Sequence, residues 1–344
     1  MSHNLHDIEY LCMGGAGSKL GAYLGVLEAF ETHSKRWFGI EWNLFLRRKI
    51  KGCCGASAGS AVALCMCLAL DSKEIESVIA PLMKNFRAVV PLLDVASLVH
   101  RFGLDGGDEL KRLIVQIVTT GGLSADTTFR RLHDLTGREF ACTATNLNTR
   151  EPVLFDRHYT PELKIVDAVM ASCSIPLVFA PININGDMYV DGALTLNTPS
   201  TFPMNHTMVW RLDDPARVDI SSWMDYVSAL VNIGMGAQNE RERKIRSEAG
   251  HMLRIRMPAR HRDGPAFDLS MDDKGFEEFV LCGYTSVVDS MYAKMCGTSL
   301  LLVLGQLIRI CFLGRHAFLS NESAIEVGPC TQAESQRTGI PLPD

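Results

Sequence analysis

The segment Gly55-Ala56-Ser57-Ala58-Gly59 joins a predicted strand to a predicted helix. Apolar residues 50–54 before it are typical of a buried strand, and the Ala/Leu-rich residues 60–70 after it are typical of a helix. This order of strand, glycine-flanked turn and helix holds a serine hydroxyl on a sharp turn, as a nucleophile requires. The alternative interpretation is an ordinary helix start with Ser57 as its N-cap.

The composition of the chain limits the classes of protein to which it can belong. Of its 344 residues 47% are hydrophobic and 21% charged, with a formal net charge of −5, which predicts one large or two medium globular domains. No basic block is longer than residues 241–246, so we do not expect nucleic acid as a partner. The eleven cysteines lack metal-site spacing, and we expect buried thiols in a reducing compartment, with no metal and no cofactor.

Two segments bear on where the protein acts. The N-terminal residues lack the charged-then-apolar layout of a secretion signal. The longest uncharged stretch, residues 295–308, is shorter than the roughly 20 apolar residues that span a bilayer. We expect a packed helix there, with a helix lying on a membrane surface as the alternative. The sequence predicts a protein of the cytoplasm or the membrane periphery, and it leaves open delivery into another cell.

Strand and helix patterns alternate along the chain. Strands are predicted at 8–13, 50–54, 139–145, 153–155, 182–184, 188–190, 208–212 and 252–257. Helices are predicted at 18–30, 60–70, 73–84, 108–118, 163–171 and 223–248, and exposed loops at 119–127 and 258–265. Such alternation predicts an α/β fold with three α/β/α layers, in which helices cover both faces of a mostly parallel central sheet.

A second glycine-rich turn, Gly14-Gly15-Ala16-Gly17-Ser18-Lys19, follows the first predicted strand and opens a helix. Its small residues leave backbone N–H groups free to face an anion, and the helix start adds positive potential. Leu20 departs from the dinucleotide pattern, and Lys19 is not followed by the Ser or Thr of a triphosphate loop. The oxyanion of an acyl-transfer intermediate remains as a candidate, since it needs only two or three converging N–H donors.

A third motif, Asp191-Gly192-Ala193, stands at the end of a predicted strand. An aspartate there can accept the proton of Ser57 if the two side chains come within hydrogen-bond reach. The alternative for Asp191 is a turn aspartate that caps its own backbone.

Taken in this order, the motifs resemble the patatin-like phospholipases, a family that uses a serine–aspartate dyad. The glycine loop with the following helix, residues 22–27, looks like the family's oxyanion loop. Gly55–Gly59 is similar to its nucleophile elbow, and Asp191–Ala193 to its D-G-A/G motif. The resemblance covers about Ile8 to Pro199.

Two further segments, 144–149 and 171–181, resemble family signatures that precede the aspartate. The departures are Ala16 and Leu20, where the family usually has glycine. On the strength of the resemblance we expect residues 8–203 to form the catalytic region. Residues 204–344 are expected to complete or cover the same domain.

The resemblance implies a calcium-independent lipid acyl hydrolase that acts on ester bonds of membrane glycerophospholipids. Ser57 would attack the ester carbonyl, Asp191 would take its proton, and water would release the acyl-enzyme. The implied oxyanion hole consists of loop N–H groups, from Gly15, Ala16, Gly17, Ser18 and Lys19. Membrane phospholipid is the expected partner, through peripheral contact, and a protein activator is left open.

Other interpretations stay open at this point. A conventional α/β-hydrolase triad would add one histidine after Asp191, and the candidates are His206, His251, His261 and His316. A non-catalytic lipid-binding protein could keep the same fold. Lys19 could help to fix the loop or attract lipid phosphate, and the alternative is a solvent-facing helix lysine.

Overall fold

The computed structural model describes residues 7–79, 95–199, 201–212, 251–257 and 273–296, together with positions 220, 226, 229 and 230. The chain divides into one compact unit, Met1–Leu301, and a second, Leu302–Asp344, which lies outside the described residues. Also outside them fall the predicted loop 258–265, most of the predicted helix 223–248 and nearly all of the apolar stretch 295–308.

Strands and helices alternate through the described part of the chain. The strands are β1 (Tyr10–Met13), β2 (Gly52–Ala56), β3 (Gly103–Asp105), β4 (Glu139–Asn146), β5 (Glu151–Asp156), β6 (Leu177–Phe179), β7 (Ile182–Ile184), β8 (Asp187–Asp191), β9 (Thr207–Leu212) and β10 (His251–Ile255). The helices are α1 (Gly21–Phe38), α2 (Trp42–Arg48), α3 (Ala58–Leu68), α4 (Val95–Arg101), α5 (Asp108–Thr120), α6 (Phe129–Thr136), α7 (Ile165–Cys173) and α8 (Asp273–Cys296). Short 3₁₀ helices span Gly17–Leu20, Gly192–Leu194 and Met204–His206, and residues 72–79 are helical.

The central sheet is parallel at one side and antiparallel at the other. Its strands follow the order β10-β9-β1-β2-β4-β8-β7, with β5 paired to β4, while β3 and β6 form a separate two-stranded sheet. The pairs from β10 through β4 are parallel, whereas β4 pairs with β5 and β8, and β8 with β7, in antiparallel fashion. The predicted mixed α/β class with a mostly parallel central sheet is confirmed.

Strands β2 and β8 meet end to end along one edge of β4. Strand β2 ends with Ala56 opposite Thr143, and β8, running the other way, ends with Asp191 opposite Ala144. At both positions the other edge of β4 is taken by β5, so β2 and β8 must share the same edge. This head-on arrangement brings the residue after β2, Ser57, to the residue that ends β8.

The two faces of the sheet are covered differently. On one face the buried Trp210 of β9 packs against α1 and α2, with ring centroids 5.5 Å from Phe30 and 6.4 Å from Trp42. The opposite face carries an in-register row of buried residues on which Phe202 and Met204 pack: Cys12, Cys54, Ala141 and Val209. Burial on both faces explains why these strands read as continuous apolar runs.

Helix α8 crosses α1 with backbone against backbone. A Cβ on Gly25 would lie 1.8 Å from the carbonyl oxygen of Val280, and one on Gly283 would lie 1.8 Å from that of Ala22. Only glycine permits so close an approach. Residues 273–296 thus pack against the helix that follows the glycine loop, while the expected boundary at residue 203 stays a prediction.

Within the described ranges, every helix falls short of the length or the apolarity that crossing a bilayer requires.

Candidate active site

Ser57 stands at the sharp turn between β2 and α3. Its backbone has φ +53° and ψ −136°, a region that a non-glycine residue rarely adopts, and it is 5% exposed. Although it occupies the N-cap position of α3, its side chain makes no capping hydrogen bond. The hydroxyl therefore does not serve as an ordinary N-cap. Strained backbone angles at a non-glycine residue are found mostly at functional sites.

Both glycines that flank the serine turn are required by close packing. A Cβ on Gly55 would lie 2.3 Å from the carbonyl oxygen of Gly59, and a Cβ on Gly59 would lie 2.3 Å from that of Gly14. A Cβ on Gly192, beside the aspartate, would lie 2.1 Å from the carbonyl oxygen of Thr143. The Gly59 contact presses the serine turn against the glycine loop, and the Gly192 contact presses the Asp191 turn against β4.

The side chains of Ser57 and Asp191 are directly hydrogen-bonded. Ser57 Oγ donates to Asp191 Oδ2 at 2.5 Å, and Asp191 Oδ1 accepts from the N–H of Ala193 at 2.8 Å. Asp191 thus caps its own turn with one oxygen and meets the serine with the other. The structure brings these two predicted residues together across 134 positions of sequence.

Burial raises the pKa of the Asp191 carboxyl group. The side chain is 2% exposed, and loss of hydration disfavours its charged form, so the pKa rises from its ordinary value to about 7. Hydrogen bonds from Ser57 and from the Ala193 N–H act in the opposite direction and lower the pKa, but the effect of burial is larger. A carboxylate with a pKa near neutrality is a stronger base than an exposed aspartate.

The C-terminal end of α7 positions both residues. Ser172 Oγ accepts the N–H of Ser57 at 3.0 Å, and the Ser174 carbonyl oxygen accepts the N–H of Asp191 at 2.9 Å. Thr145 Oγ1 donates to the carbonyl oxygen of Asp191 at 2.9 Å. We did not predict these positioning contacts from sequence, where Ser172 and Ser174 appeared only inside a longer resembling segment.

The glycine loop lies against the dyad. A Cβ on Gly15 would lie 3.3 Å from the Cβ of Ser57 and 3.1 Å from that of Ala193. The N–H of Gly14 donates to the Trp210 carbonyl oxygen at 3.0 Å, which anchors the loop to β9. The position that the sequence predicted for an anion-binding loop is thus adjacent to the candidate nucleophile.

The N–H groups of the loop differ in availability. Gly15 N–H donates to Asn197 Oδ1 at 2.6 Å, and Lys19 N–H donates to the Ala16 carbonyl oxygen at 3.0 Å. Ala16 has φ −131° and Gly17 φ +55°, and within the described part of the chain no acceptor is bonded to the N–H of either. Consecutive N–H groups in such paired conformations form a concave site for an anion.

The remaining loop residues are buried. Ser18 is 5% and Lys19 8% exposed, both in the 3₁₀ helix that opens α1. The interpretation of Lys19 as a solvent-facing helix lysine is therefore wrong, because packing covers the residue. Asn197, which holds the Gly15 N–H, was missed in the sequence, where only its position shortly after Asp191-Gly192-Ala193 could have drawn attention to it.

No described histidine completes a triad. His206 Nδ1 lies 2.9 Å from the carbonyl oxygen of Asp7, and His251 is buried in β10. Among the residues placed by the structure, no histidine is hydrogen-bonded to Ser57 or Asp191; His261 and His316 lie outside them. The same residues contain no cluster of three or more His, Cys, Asp or Glu side chains arranged to hold a metal ion.

Comparisons with known proteins match the same part of the chain that carries the motifs. The model of a family described as patatin-like phospholipase matches residues 11–202, more than half of the chain. An uncharacterized protein of Acanthamoeba polyphaga mimivirus is 27% identical over 57% of this chain and 61% of its own length. A cGAMP-activated phospholipase of Escherichia coli is 28% identical over 42% of this chain and 41% of its own.

A probable lipid hydrolase of Invertebrate iridescent virus 6 is 30% identical over 22% of this chain and 27% of its own. The chain thus spans less than two thirds of the length of these curated relatives. Among solved structures, VipD from Legionella pneumophila has a TM-score of 0.49 at 15% identity, covering 84% of this chain and 67% of that one. ExoU in complex with SpcU, from Pseudomonas aeruginosa, has a TM-score of 0.48 at 14% identity, covering 85% and 53%.

Proposed function

The chain belongs to the patatin-like phospholipase family, and from that premise we propose that it hydrolyses acyl esters of membrane glycerophospholipids through a Ser57–Asp191 dyad. The observation that carries the proposal is the 2.5 Å hydrogen bond between Ser57 Oγ and Asp191 Oδ2. It places a hydroxyl on a strained turn against a buried carboxyl group, which is the pairing of nucleophile and base that acyl transfer needs.

The proposed reaction begins with attack of Ser57 Oγ on the ester carbonyl carbon. Asp191 Oδ2 takes the serine proton as the new C–O bond forms, and the carbonyl oxygen becomes an oxyanion. The N–H groups of Ala16 and Gly17 are the proposed donors to that oxyanion, since the Gly15 N–H already donates to Asn197 Oδ1. Asp191 then gives its proton to the leaving alcohol, and an acyl-enzyme remains.

Hydrolysis of the acyl-enzyme repeats the cycle with water. Asp191 takes a proton from the attacking water, and Ser57 leaves with that proton as the fatty acid is released. No histidine and no calcium ion is assigned a step.

Addition of EGTA to the assay is therefore expected to leave the rate of ester hydrolysis unchanged, and a large loss of rate would contradict calcium independence.

The direct test is incubation of the full chain with mixed phospholipid vesicles, followed by mass spectrometry of the products. Release of fatty acid and lysophospholipid supports phospholipase A activity. Because one relative is described as cGAMP-activated, a parallel reaction includes cyclic GMP–AMP. A fluorophosphonate probe is expected to label Ser57, and well-folded protein that resists labelling in both reactions would favour the non-catalytic alternative.

The dependence of activity on pH follows from the carboxyl group. Burial raises the pKa of Asp191 to about 7, and only the ionised form can accept the serine proton. We expect kcat/KM for a soluble ester to increase about tenfold per pH unit below pH 7 and to level off above it. A pH profile that stays flat between pH 5 and 8 would argue against Asp191 as the base.

Histidine replacement separates the dyad from a triad. His206→Ala and His251→Ala are each expected to keep ester hydrolysis within about twofold of the unsubstituted protein, since neither residue is bonded to the dyad. The measurement is kcat/KM with a soluble ester, beside a melting curve for each variant. A folded histidine variant with a loss of about a thousandfold would revive the α/β-hydrolase triad.

A further inference from the structure

The end of α4 exposes two large apolar side chains close together. Val99 is 64% and Phe102 63% exposed, and three positions separate them. The residues between them, His100 and Arg101, are also exposed. Single apolar residues at a surface are ordinary, but an apolar pair that encloses two basic residues indicates a surface for a partner.

The backbone at and next to Phe102 is strained and closely packed. Phe102 has φ +61°, and Leu177, which lies opposite the next residue, Gly103, in the β3–β6 pair, has φ +68°. A Cβ on Gly103 would lie 2.3 Å from the backbone nitrogen of Ala180, so the two strands touch backbone to backbone. Residues with such strained backbone angles persist only where the surrounding structure enforces those angles. Here the enforced conformation leaves the ring of Phe102 exposed to solvent.

The exposed pair is connected to the dyad by a short stretch of chain. Strand β6 begins at Leu177, three residues after Ser174, whose carbonyl oxygen holds the N–H of Asp191. Three residues span at most about 10 Å, so the start of β6 lies near Ser174 and hence near the place where Asp191 meets Ser57. A surface that the apolar pair contacts would therefore lie near the candidate active site.

We propose that residues 99–102, hereafter the docking tip, bind the surface of a bilayer that contains anionic lipid. Val99 and Phe102 enter the interfacial layer, and Arg101 lies at the level of the headgroup phosphates. Arg101 argues for a bilayer over an apolar protein surface, because its positive charge complements anionic headgroups. The inference rests on the proposed function for its biological reason, since a phospholipid hydrolase must reach a membrane.

The test measures binding of the full chain to phosphatidylcholine vesicles, with and without phosphatidylglycerol, by co-sedimentation. Val99→Ser and Phe102→Ser are each expected to weaken binding by about tenfold, because each removes an apolar side chain from the interface. Arg101→Gln is expected to weaken binding by roughly fivefold on anionic vesicles only. Tyr159→Ser is the control, since Tyr159 is 77% exposed and lies outside the tip; it is expected to bind as the unsubstituted protein does.

A soluble short-chain ester separates binding from catalysis. The serine variants are expected to keep their kcat/KM on this ester while hydrolysis of vesicle lipid falls. If they also lose soluble-ester activity, Phe102→Trp decides, because it keeps the bulk of the ring and is expected to strengthen vesicle binding.

The proposal would be overturned if the variants bound vesicles as well as the unsubstituted protein does. It would also be overturned if Tyr159→Ser lost as much binding as the tip variants. Unchanged vesicle binding by Phe102→Trp would overturn it too. If the unsubstituted protein bound no vesicles, the proposal would fail and a protein surface would be the remaining partner. Since vesicle binding needs no catalysis, a failure of the proposed hydrolysis would be recognised separately.

Discussion

Ser57→Ala is expected to lower kcat/KM for ester hydrolysis by about 10⁴-fold to 10⁶-fold, because it removes the oxygen that would form the acyl-enzyme. Asp191→Asn is expected to give a loss of similar size, since an amide cannot accept the serine proton. The two residues act as one unit, so the double variant should lose no more than the Ser57→Ala variant. The measurement is kcat/KM with a soluble ester, together with fluorophosphonate labelling.

Stability provides the control for Asp191→Asn. Burial raises the pKa of Asp191 to about 7, so the folded protein binds this proton more tightly than the unfolded chain. The stabilisation is complete below the unfolded pKa of about 4 and is lost as the pH rises through 7. At pH 8 the neutral Asp191→Asn variant should unfold at an equal or higher denaturant concentration. An inactive variant that is also unfolded would say nothing about the dyad, whereas a folded and active one would refute it.

Gly59→Ala is expected to destabilise the protein strongly, although alanine favours a helix over glycine by about 1 kcal/mol. The new Cβ would lie 2.3 Å from the Gly14 carbonyl oxygen and 2.5 Å from that of Met13. Both atoms belong to the backbone that leads into the glycine loop, so relief requires α3 to move away from β1. We expect a net loss of about 3 kcal/mol or more in the free energy of unfolding.

The matched control for Gly59→Ala is Gly106→Ala. The nearest atom to a Cβ at Gly106, a nitrogen of the Arg101 side chain, is 3.9 Å away, so alanine fits there without movement. Urea unfolding curves of both variants measure the difference. Equal midpoints for the two variants would mean that the serine turn and the glycine loop are not pressed together as described.

The local parts of the site could be predicted from the sequence. The turn around Ser57 is specified by its own glycines and by the apolar runs on either side, and the observed β2 and α3 lie within a few residues of the predicted elements. The same holds for the glycine loop and for the end of β8. Each of these signals is contained within about ten residues, which is the range over which periodicity and turn chemistry operate.

The contacts that assemble the site could not be predicted in this way. The antiparallel pairing of β8 with β4 sets the distance between Ser57 and Asp191, and it depends on which strand takes the free edge of β4. The bond from the Gly15 N–H to Asn197 joins residues 182 positions apart. Helices α2 and α6 were missed because they are only seven and eight residues long, so each offers about two turns of pattern.

The place of β9 in the sheet bears on where the chain can be cut. The residues matched by the family model end at 202, yet residues 207–210 of β9 pair with β1 over all four residues of β1. A fragment that stopped at 202 would lack β9, so one edge of β1 would be unpaired and the aromatic rings that surround Trp210 would be exposed. Unpaired strand edges pair with other chains. The segment that the family model matches therefore omits two strands of the central sheet, β9 and β10, and expression boundaries should be chosen from the strand order instead of the motif order.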